Sequence, residues 1–274
     1  QLEQYKEEMG GKGWDYVVHA AGATKCLNEK DFYRTNTDGT RHLIDTLRAA
    51  GMTPKRFVFV SSLSIFGAIR ENPVRKPSKK NPWIYAPILL TDTPKPNTAY
   101  GKSKLKAEEY LQQQADFPFT ILRPTGVYGP REKDYFMMAK SIKQHIDFAV
   151  GYKPQEITFV YMMDVVQAIY KCLESPAAEG QSYFLSDGEV YNSRRFSDLL
   201  QQTLGNPWVM HIKAPLWLLR IICWVSSRIS HITGKMNALN YDKFHILSQR
   251  NWQCDIEHAL RDKWHRSEDV RNRS

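Results

Sequence analysis

Apolar and polar positions fall along the chain in two kinds of block, short unbroken apolar runs and longer stretches with helical spacing. Leu2 to Met9 reads as an amphipathic helix stopped by Gly10 and Gly11. In DYVVHAAG the run from Tyr16 to Ala21, closed by Gly22, suits a strand covered on both faces. Residues 31–50 place Leu43, Ile44 and Leu47 at helical spacing before Gly51, and RFVFVSS (56–62) is a second buried strand. A Pro-, Asn- and Lys-rich connection over 63–97 leads to the helical stretch TAYGKSKLKAEEYL (98–111) and then to a third strand, FTILRP (119–124). Strand, helix, strand, helix, strand predicts an α/β fold built on a parallel sheet.

Beyond Pro124 the pattern is less regular. It predicts a helix from Tyr135 to Gln144, a short strand from Ile146 to Val150, and a helix opened by Asp164 as its cap. A strand in QSYFLSDG (181–188) follows, then a helix from Arg194 to Leu204 capped by Ser193. Residues 205–274 read as Trp-rich, helical and basic, and no internal repeat is evident.

Composition narrows the partners. Lys and Arg outnumber Asp and Glu by 38 to 29, a net charge of +9, but the basic residues are dispersed. The densest run, residues 75–80, reads as a solvated loop, so no nucleic-acid partner is expected. Cys26, Cys172, Cys223 and Cys254 lie far apart, which predicts neither a metal site nor a disulfide framework and fits a reducing cytoplasm. The longest apolar stretch, residues 214–227, is shorter than the roughly 20 residues of a span and is interrupted by Arg220. It predicts a buried or surface-lying amphipathic helix, a place for peripheral membrane contact. The polar opening QLEQYKEEMGGKG has no signal-peptide pattern and no initiator Met.

In a doubly wound sheet ligands sit at the carboxyl ends of the strands. Three such ends carry small or polar groups: His19 to Thr24, Ser61 to Ser64, and Arg123 to Gly126. Tyr100 opens the helix after the second, and Lys104 lies one turn later on the same face. A tyrosine ionises near pH ~10, so proton transfer near neutrality needs its pKa lowered by about three units, which a nearby ammonium supplies in part. Alone, the spacing favours two polar residues on an ordinary amphipathic helix.

Together, HAAG, NTDGT, FVFVSSLSIFG, AYGKSK and LRPTGVYGP, in this order, resemble the extended short-chain dehydrogenase/reductases, the NAD-dependent epimerase/dehydratase family, over residues 1 to 190. The C-terminal part is similar, more loosely, to the 3β-hydroxysteroid dehydrogenase and dihydroflavonol-reductase-like branches. The resemblance implies that Tyr100 is the general acid/base, that Lys104 holds the nicotinamide ribose and lowers the tyrosine pKa, and that Ser62 binds the substrate oxygen. It places Ala20, Ala21, Gly22, Asn36 and Ser61 along an NAD or NADP cofactor, with Pro124, Thr125 and Val127 flanking the nicotinamide. Ser64 and Arg131 become candidate substrate contacts, and no metal is required. The same resemblance implies a homodimer, with Leu105, Tyr110 and Leu111 serving an interface as well as the core.

Two departures qualify that picture. No G-x-x-G-x-x-G turn occurs anywhere in the 274 residues. The chain therefore reads as a partial Rossmann-type sheet lacking its first strands, roughly 65 residues that would bring the pyrophosphate-binding helix terminus. It should bind dinucleotide weakly, turn over poorly by itself, and leave the HAAG strand with an open edge. The dinucleotide-binding part is expected over 1–128, with 161–190 returning to it, and a smaller, mostly helical substrate-binding region over 129–160 and 191–274. Secondly, Leu63 and Ser64 replace the Asp-Glu pair of sugar-nucleotide dehydratases, and ITFVYMMD stands where many sugar-nucleotide members carry T-R-D-F, so dehydration is disfavoured. Phe66 stands where many members carry Tyr. Trp83 and Tyr85 read as a lid or a self-packed loop, and residues 214–232 as core packing, an apolar substrate wall or an interfacial face. The expected function is hydride transfer at a secondary alcohol or ketone of a lipid-like or sugar small-molecule substrate. The alternatives are a nucleotide-sugar epimerase and a non-catalytic member that senses dinucleotide or binds RNA or protein.

Overall fold

The computed structural model describes residues 2–76, 78, 83–234 and 239–261. Helix α1 (Leu2–Glu8) leads into strand β1 (Tyr16–His19). A continuous helical stretch follows: α2 (Glu29–Phe32), a π-helical turn over Tyr33–Asp38, and α3 (Gly39–Ala49). The chain then runs through β2 (Arg56–Val60), α4 (Ala99–Gln112) and β3 (Phe119–Pro124). Next come β4 (Gly126–Tyr128), α5 (Asp134–Lys143), β5 (Ile146–Val150), β6 (Glu156–Ile157) and β7 (Phe159–Tyr161). The remainder is α6 (Met162–Glu174), β8 (Ser182–Leu185), β9 (Tyr191–Asn192), α7 (Ser193–Thr203), β10 (Met210–Ala214), α8 (Leu216–Thr233), α9 (Tyr241–Ser248) and α10 (Glu257–Arg261).

The central sheet is parallel, in the order β1-β2-β3-β8. The period of two along a strand sorts its side chains onto two faces. Phe57 and Phe59 meet Ile44, Leu47, Ala107 and Leu111 under α3 and α4, while Val58 turns the other way to Val165, Ala168 and Cys172 of α6. Burying each of these side chains is worth about 1.5–3 kcal/mol, which explains why the strands read as unbroken apolar runs. The remaining strands form three two-stranded ladders, β4 with β7, β5 with β10, and β6 with β9.

β1 stands at the edge of the described sheet, as the open edge of the HAAG strand predicts. Val18 pairs in register with Val58 and so faces the α6 side, and it is exposed there together with Tyr16. The flank of α6 turned away from α10 carries Met163, Val166 and Tyr170, also exposed.

Several boundaries differ from expectation. α6 begins at Met162 with Tyr161 as a cap that makes no side-chain hydrogen bond, so Asp164 sits inside the first turn. Asn192 caps α7 by accepting from the Arg195 amide, one position before the predicted Ser193. β10 was read as helix; Met210, Ile212 and Ala214 alternate with His211 and Lys213, a strand signal that the surrounding tryptophans obscure. The described residues of the connection after β2 pack against the rest of the protein. Tyr85 is buried and donates to the Pro154 carbonyl at 3.1 Å, and Ile88 bridges to Cys254. Much of the basic run over 75–80 lies outside the described residues. Leu111 belongs to the core, Leu105 packs against the Leu63–Phe66 cluster, and Tyr110 hydrogen-bonds Asp45.

One ion pair ties α4 to the sheet. Arg123 Nη2 of β3 lies 2.6 Å from Glu108 Oε2, with both side chains buried. Removing one partner strands a charge in a dry interior, whereas replacing both with apolar groups does not. Glu108→Ala is expected to lower unfolding free energy by about 3–5 kcal/mol in urea titrations, and Glu108→Leu with Arg123→Met to recover most of it. A single-variant loss under about 1 kcal/mol would show that the pair is solvated and does not anchor α4.

Candidate active site

Helix α4 is capped from two sides. Thr98 Oγ1 accepts from the Gly101 amide at 3.0 Å, and Asp242, arriving from α9, accepts from the amides of Ala99, at 3.1 Å, and Tyr100. A side chain on Gly101 would run into the Ser64 carbonyl, so glycine here lets α4 lie directly against the turn at the end of β2. That close approach sets the Tyr100 phenol near the Ser62 hydroxyl. Ser62 Oγ accepts from the Ser64 amide at 3.1 Å, which leaves its own proton free to donate. Burial pushes the Tyr100 phenol up from its ordinary value, and the Ser62 hydroxyl works against that push.

Lys104 is nearly inaccessible, 3% exposed, and its Nζ donates to the Val60 carbonyl at 2.9 Å. Burial brings this ammonium down to about 8, with Glu108 opposing the shift. The end of β1 faces it. A Cβ built on Gly22 would stand 3.0 Å from Lys104 Nζ and 3.1 Å from Asn36 Oδ1, so glycine preserves an open cradle between the two strand ends. Asn36 is fully buried in the π-helical turn and fastens this cradle. Its Oδ1 accepts from the Ala23 amide at 2.7 Å, and Nδ2 donates to the Ala23 carbonyl and to Ser103 Oγ at 3.0 and 2.9 Å. Both amide protons are thereby used within the chain, so Asn36 acts through the backbone it holds. Ser103 passes the connection on by donating to the Tyr100 carbonyl at 2.8 Å.

His19 closes the inner side. Thr40 Oγ1 gives its proton to the Asn36 carbonyl, so His19 Nε2, 2.8 Å away, is the donor between them. Burial and then the Lys104 charge bring His19 down to about 4, which keeps the imidazole neutral near pH ~7. Ser61, at the end of β2, has its Oγ buried with no hydrogen-bond partner.

On the far side of Ser62 a cavity of about 300 Å³ opens, lined by Ser62, Leu63, Ser64, Pro124, Thr125 and Gly126 at the strand ends. Its outer walls are Met138 from α5, Phe148 from β5, Phe159, Phe196, Ile246, Leu247 and Trp252. Lys243 is the only cation among the lining residues, and it is paired with Asp134 at 2.8 Å. Arg131 is exposed and does not line the cavity, and Val127 packs against the core beneath α6. The structure thus gathers Gly22, Asn36, Ser61, Ser62, Tyr100 and Lys104 into one region with Pro124 and Thr125 beside it. Sequence reasoning missed Gly101, Ser103, Thr40 and Asp242. The first two lie inside AYGKSK, whereas Asp242 is brought in by α9 from far along the chain and carries no local signal.

The cradle has the room and charge that part of a dinucleotide requires: it is open at Gly22 and has an ammonium at one wall. Comparison with known proteins agrees. The chain is 25% identical over 257 residues to the UDP-glucose 4-epimerase of Vibrio cholerae, covering 90% of this chain and 74% of that protein. It is 25% identical over 221 residues to the 3 beta-hydroxysteroid dehydrogenase/Delta 5-->4-isomerase of Mycobacterium tuberculosis, covering 74% of this chain and 56% of that enzyme. A crystal structure of a double mutant of DesIV, the dTDP-glucose 4,6-dehydratase of Streptomyces venezuelae, with NAD bound superposes with a TM-score of 0.69 at 18% identity, over 97% of this chain and 71% of that one. The model of the NAD dependent epimerase/dehydratase family matches residues 3–192, and the chain belongs to that family.

Proposed function

We propose that this protein catalyses nicotinamide-dependent oxidation or reduction of a secondary alcohol or ketone on an apolar, lipid-like substrate. The observation that carries the substrate class is the cavity beside Ser62: aliphatic and aromatic side chains dominate its outer walls, with Gln155, Thr158 and Ser193 among them, and the one ammonium among its described lining residues, Lys243, is already paired with a carboxylate. A nucleotide sugar brings a diphosphate, which calls for unpaired cations that these walls do not offer. The match to a UDP-glucose 4-epimerase keeps nucleotide-sugar epimerisation as the second reading.

When bound, the nicotinamide supplies the hydride acceptor or donor at its ring carbon 4. The chain's residues manage the proton and the geometry. Ser62 donates its free hydrogen bond to the substrate oxygen, and Tyr100 takes the hydroxyl proton during oxidation or returns it during reduction. Lys104, held by the Val60 carbonyl beneath the Gly22 cradle, would offer its ammonium to the ribose hydroxyls of a bound cofactor, and it is not among the groups that shift the Tyr100 phenol. In the unliganded chain burial outweighs the help that Tyr100 receives, so the remaining lowering of its pKa falls to the positive charge brought by an oxidised cofactor. Leu63 and Ser64, on the cavity wall, supply no second acid/base pair for dehydration.

Tyr100→Phe is expected to lower turnover by about 10²- to 10⁴-fold while leaving thermal stability and dinucleotide affinity unchanged. The assay follows nicotinamide absorbance with a 3β-hydroxysteroid and, separately, UDP-glucose as probes. Undiminished turnover would remove Tyr100 from the chemistry, and turnover confined to UDP-glucose would favour the second reading.

Lys104 yields a test of a different kind. Its folded pKa, about 8, lies below the unfolded value of about 10.4, so between these the unfolded chain binds more protons and stability rises with pH. The stability difference between wild type and Lys104→Met is therefore expected to move in favour of wild type from pH ~7 to pH ~10 in urea titrations. A constant difference, or movement the other way, would show that Lys104 is not held buried and charged.

A further inference from the structure

Helix α8 buries Leu219, Cys223 and Ser230 and turns the opposite side to solvent. At 100° per residue Trp217, Ile221, Trp224, Arg228 and Ile232 fall on one stripe along that outer side. Trp217 is 64% exposed, Trp224 54% and Ile232 85%, and Trp208, just before β10, is 73% exposed. The stripe is long as well as apolar, since 18 residues rise about 27 Å. Among the described residues no helix is long and apolar enough to cross a membrane. This helix is amphipathic and can only lie along a surface.

Charge decides which surface. From Leu199 to Tyr241 the sequence holds no Asp or Glu, while Lys213, Arg220, Arg228 and Lys235 fall within the same stretch. Arg228 sits in the middle of the apolar stripe with its guanidinium 5.5 Å from the Trp224 ring, and among the described residues neither it nor Arg220 forms a salt bridge. A second copy packed with its own α8 on this face about a two-fold axis would bring Arg228 against the same stretch, which holds no Asp or Glu. A layer of anionic phospholipid supplies phosphate to the arginines, an interface to the tryptophans and acyl chains to the isoleucines.

We propose that the outer face of α8 docks this protein on anionic lipid surfaces. The position of the helix links docking to the site. α8 packs against α9, which lends Lys243, Ile246 and Leu247 to the cavity, and β10, which leads into α8, pairs with β5, which lends Phe148. A lipid-borne alcohol would thus meet the cavity beside the membrane. That last step rests on the apolar-substrate reading, whereas the docking does not.

The test is co-sedimentation of the chain, without cofactor or substrate, with vesicles of phosphatidylglycerol and phosphatidylcholine in equal parts and with phosphatidylcholine alone. Wild type is expected to bind the anionic vesicles more tightly, and less so as salt rises. Ile221→Asp and Trp224→Asp, both at exposed positions, are each expected to weaken binding by at least about tenfold with an unchanged circular-dichroism melt. Arg220→Glu with Arg228→Glu should abolish the preference for anionic lipid. Absence of wild-type binding, or binding indifferent to these variants, would overturn the proposal. So would a wild-type dimer in sedimentation velocity that Ile221→Asp converts to monomer, since a second copy would then cover the face. Because none of these readouts requires turnover, failure here leaves the proposed chemistry standing, and failure of the chemistry leaves the docking standing.

Discussion

The seating of α4 against the strand ends is the constraint on which the site depends. It is achieved with charge buried in a nearly dry interior: Arg123 and Glu108 satisfy each other, and Lys104, one turn from Glu108, gives its proton to a backbone carbonyl. Such an arrangement contributes little net stability over an apolar packing, but it is costly to break and so tolerates little displacement. Gly101 then removes the one side chain that would hold α4 away from Ser64. The result is a tyrosine beside a serine, and an ammonium whose charge burial has made expensive.

The same seating divides the site into two halves with different chemistry. Toward β1 lie polar, hydrogen-bonded groups, His19, Thr40, Asn36 and Ser103, whose bonds to one another fix the backbone around Gly22. Toward α9 lies the apolar cavity. Ser62 lines the cavity, while Lys104, which walls the cradle, lies one turn from Tyr100 on α4, so the two halves meet at that helix. Asp242 belongs to α9 yet caps α4, so an element that lines the cavity is bonded to the helix that bears Tyr100.

Much of this was legible in the chain because it depends on local pattern. The three strands 16–19, 56–60 and 119–124 announce themselves by unbroken apolar runs, and the site residues at their ends follow from strand-end logic. Y-x-x-x-K gained meaning only in company with SSLSIFG and LRPTGVYGP. What sequence could not give were contacts closed over long separations, such as Asp242 on Ala99, Tyr85 on Pro154 or β10 on β5. Arg131, a candidate substrate contact by resemblance, faces solvent, and Asn36, a candidate cofactor contact, spends its amide protons on the protein. The direction of the Tyr100 shift was also beyond sequence, since burial is a property of the folded surroundings.

The central claim is that the space between Gly22, Lys104 and Ser62 receives the nicotinamide end of a dinucleotide. Saturation-transfer difference NMR of NAD with the chain tests this directly, because it reads weak binding atom by atom. With no G-x-x-G-x-x-G turn in the sequence to grip the pyrophosphate, the nicotinamide ring protons are expected to take up more saturation than the adenine protons, and Gly22→Val is expected to abolish the nicotinamide signal. Saturation centred on adenine, or a nicotinamide signal undiminished in Gly22→Val, would contradict the account.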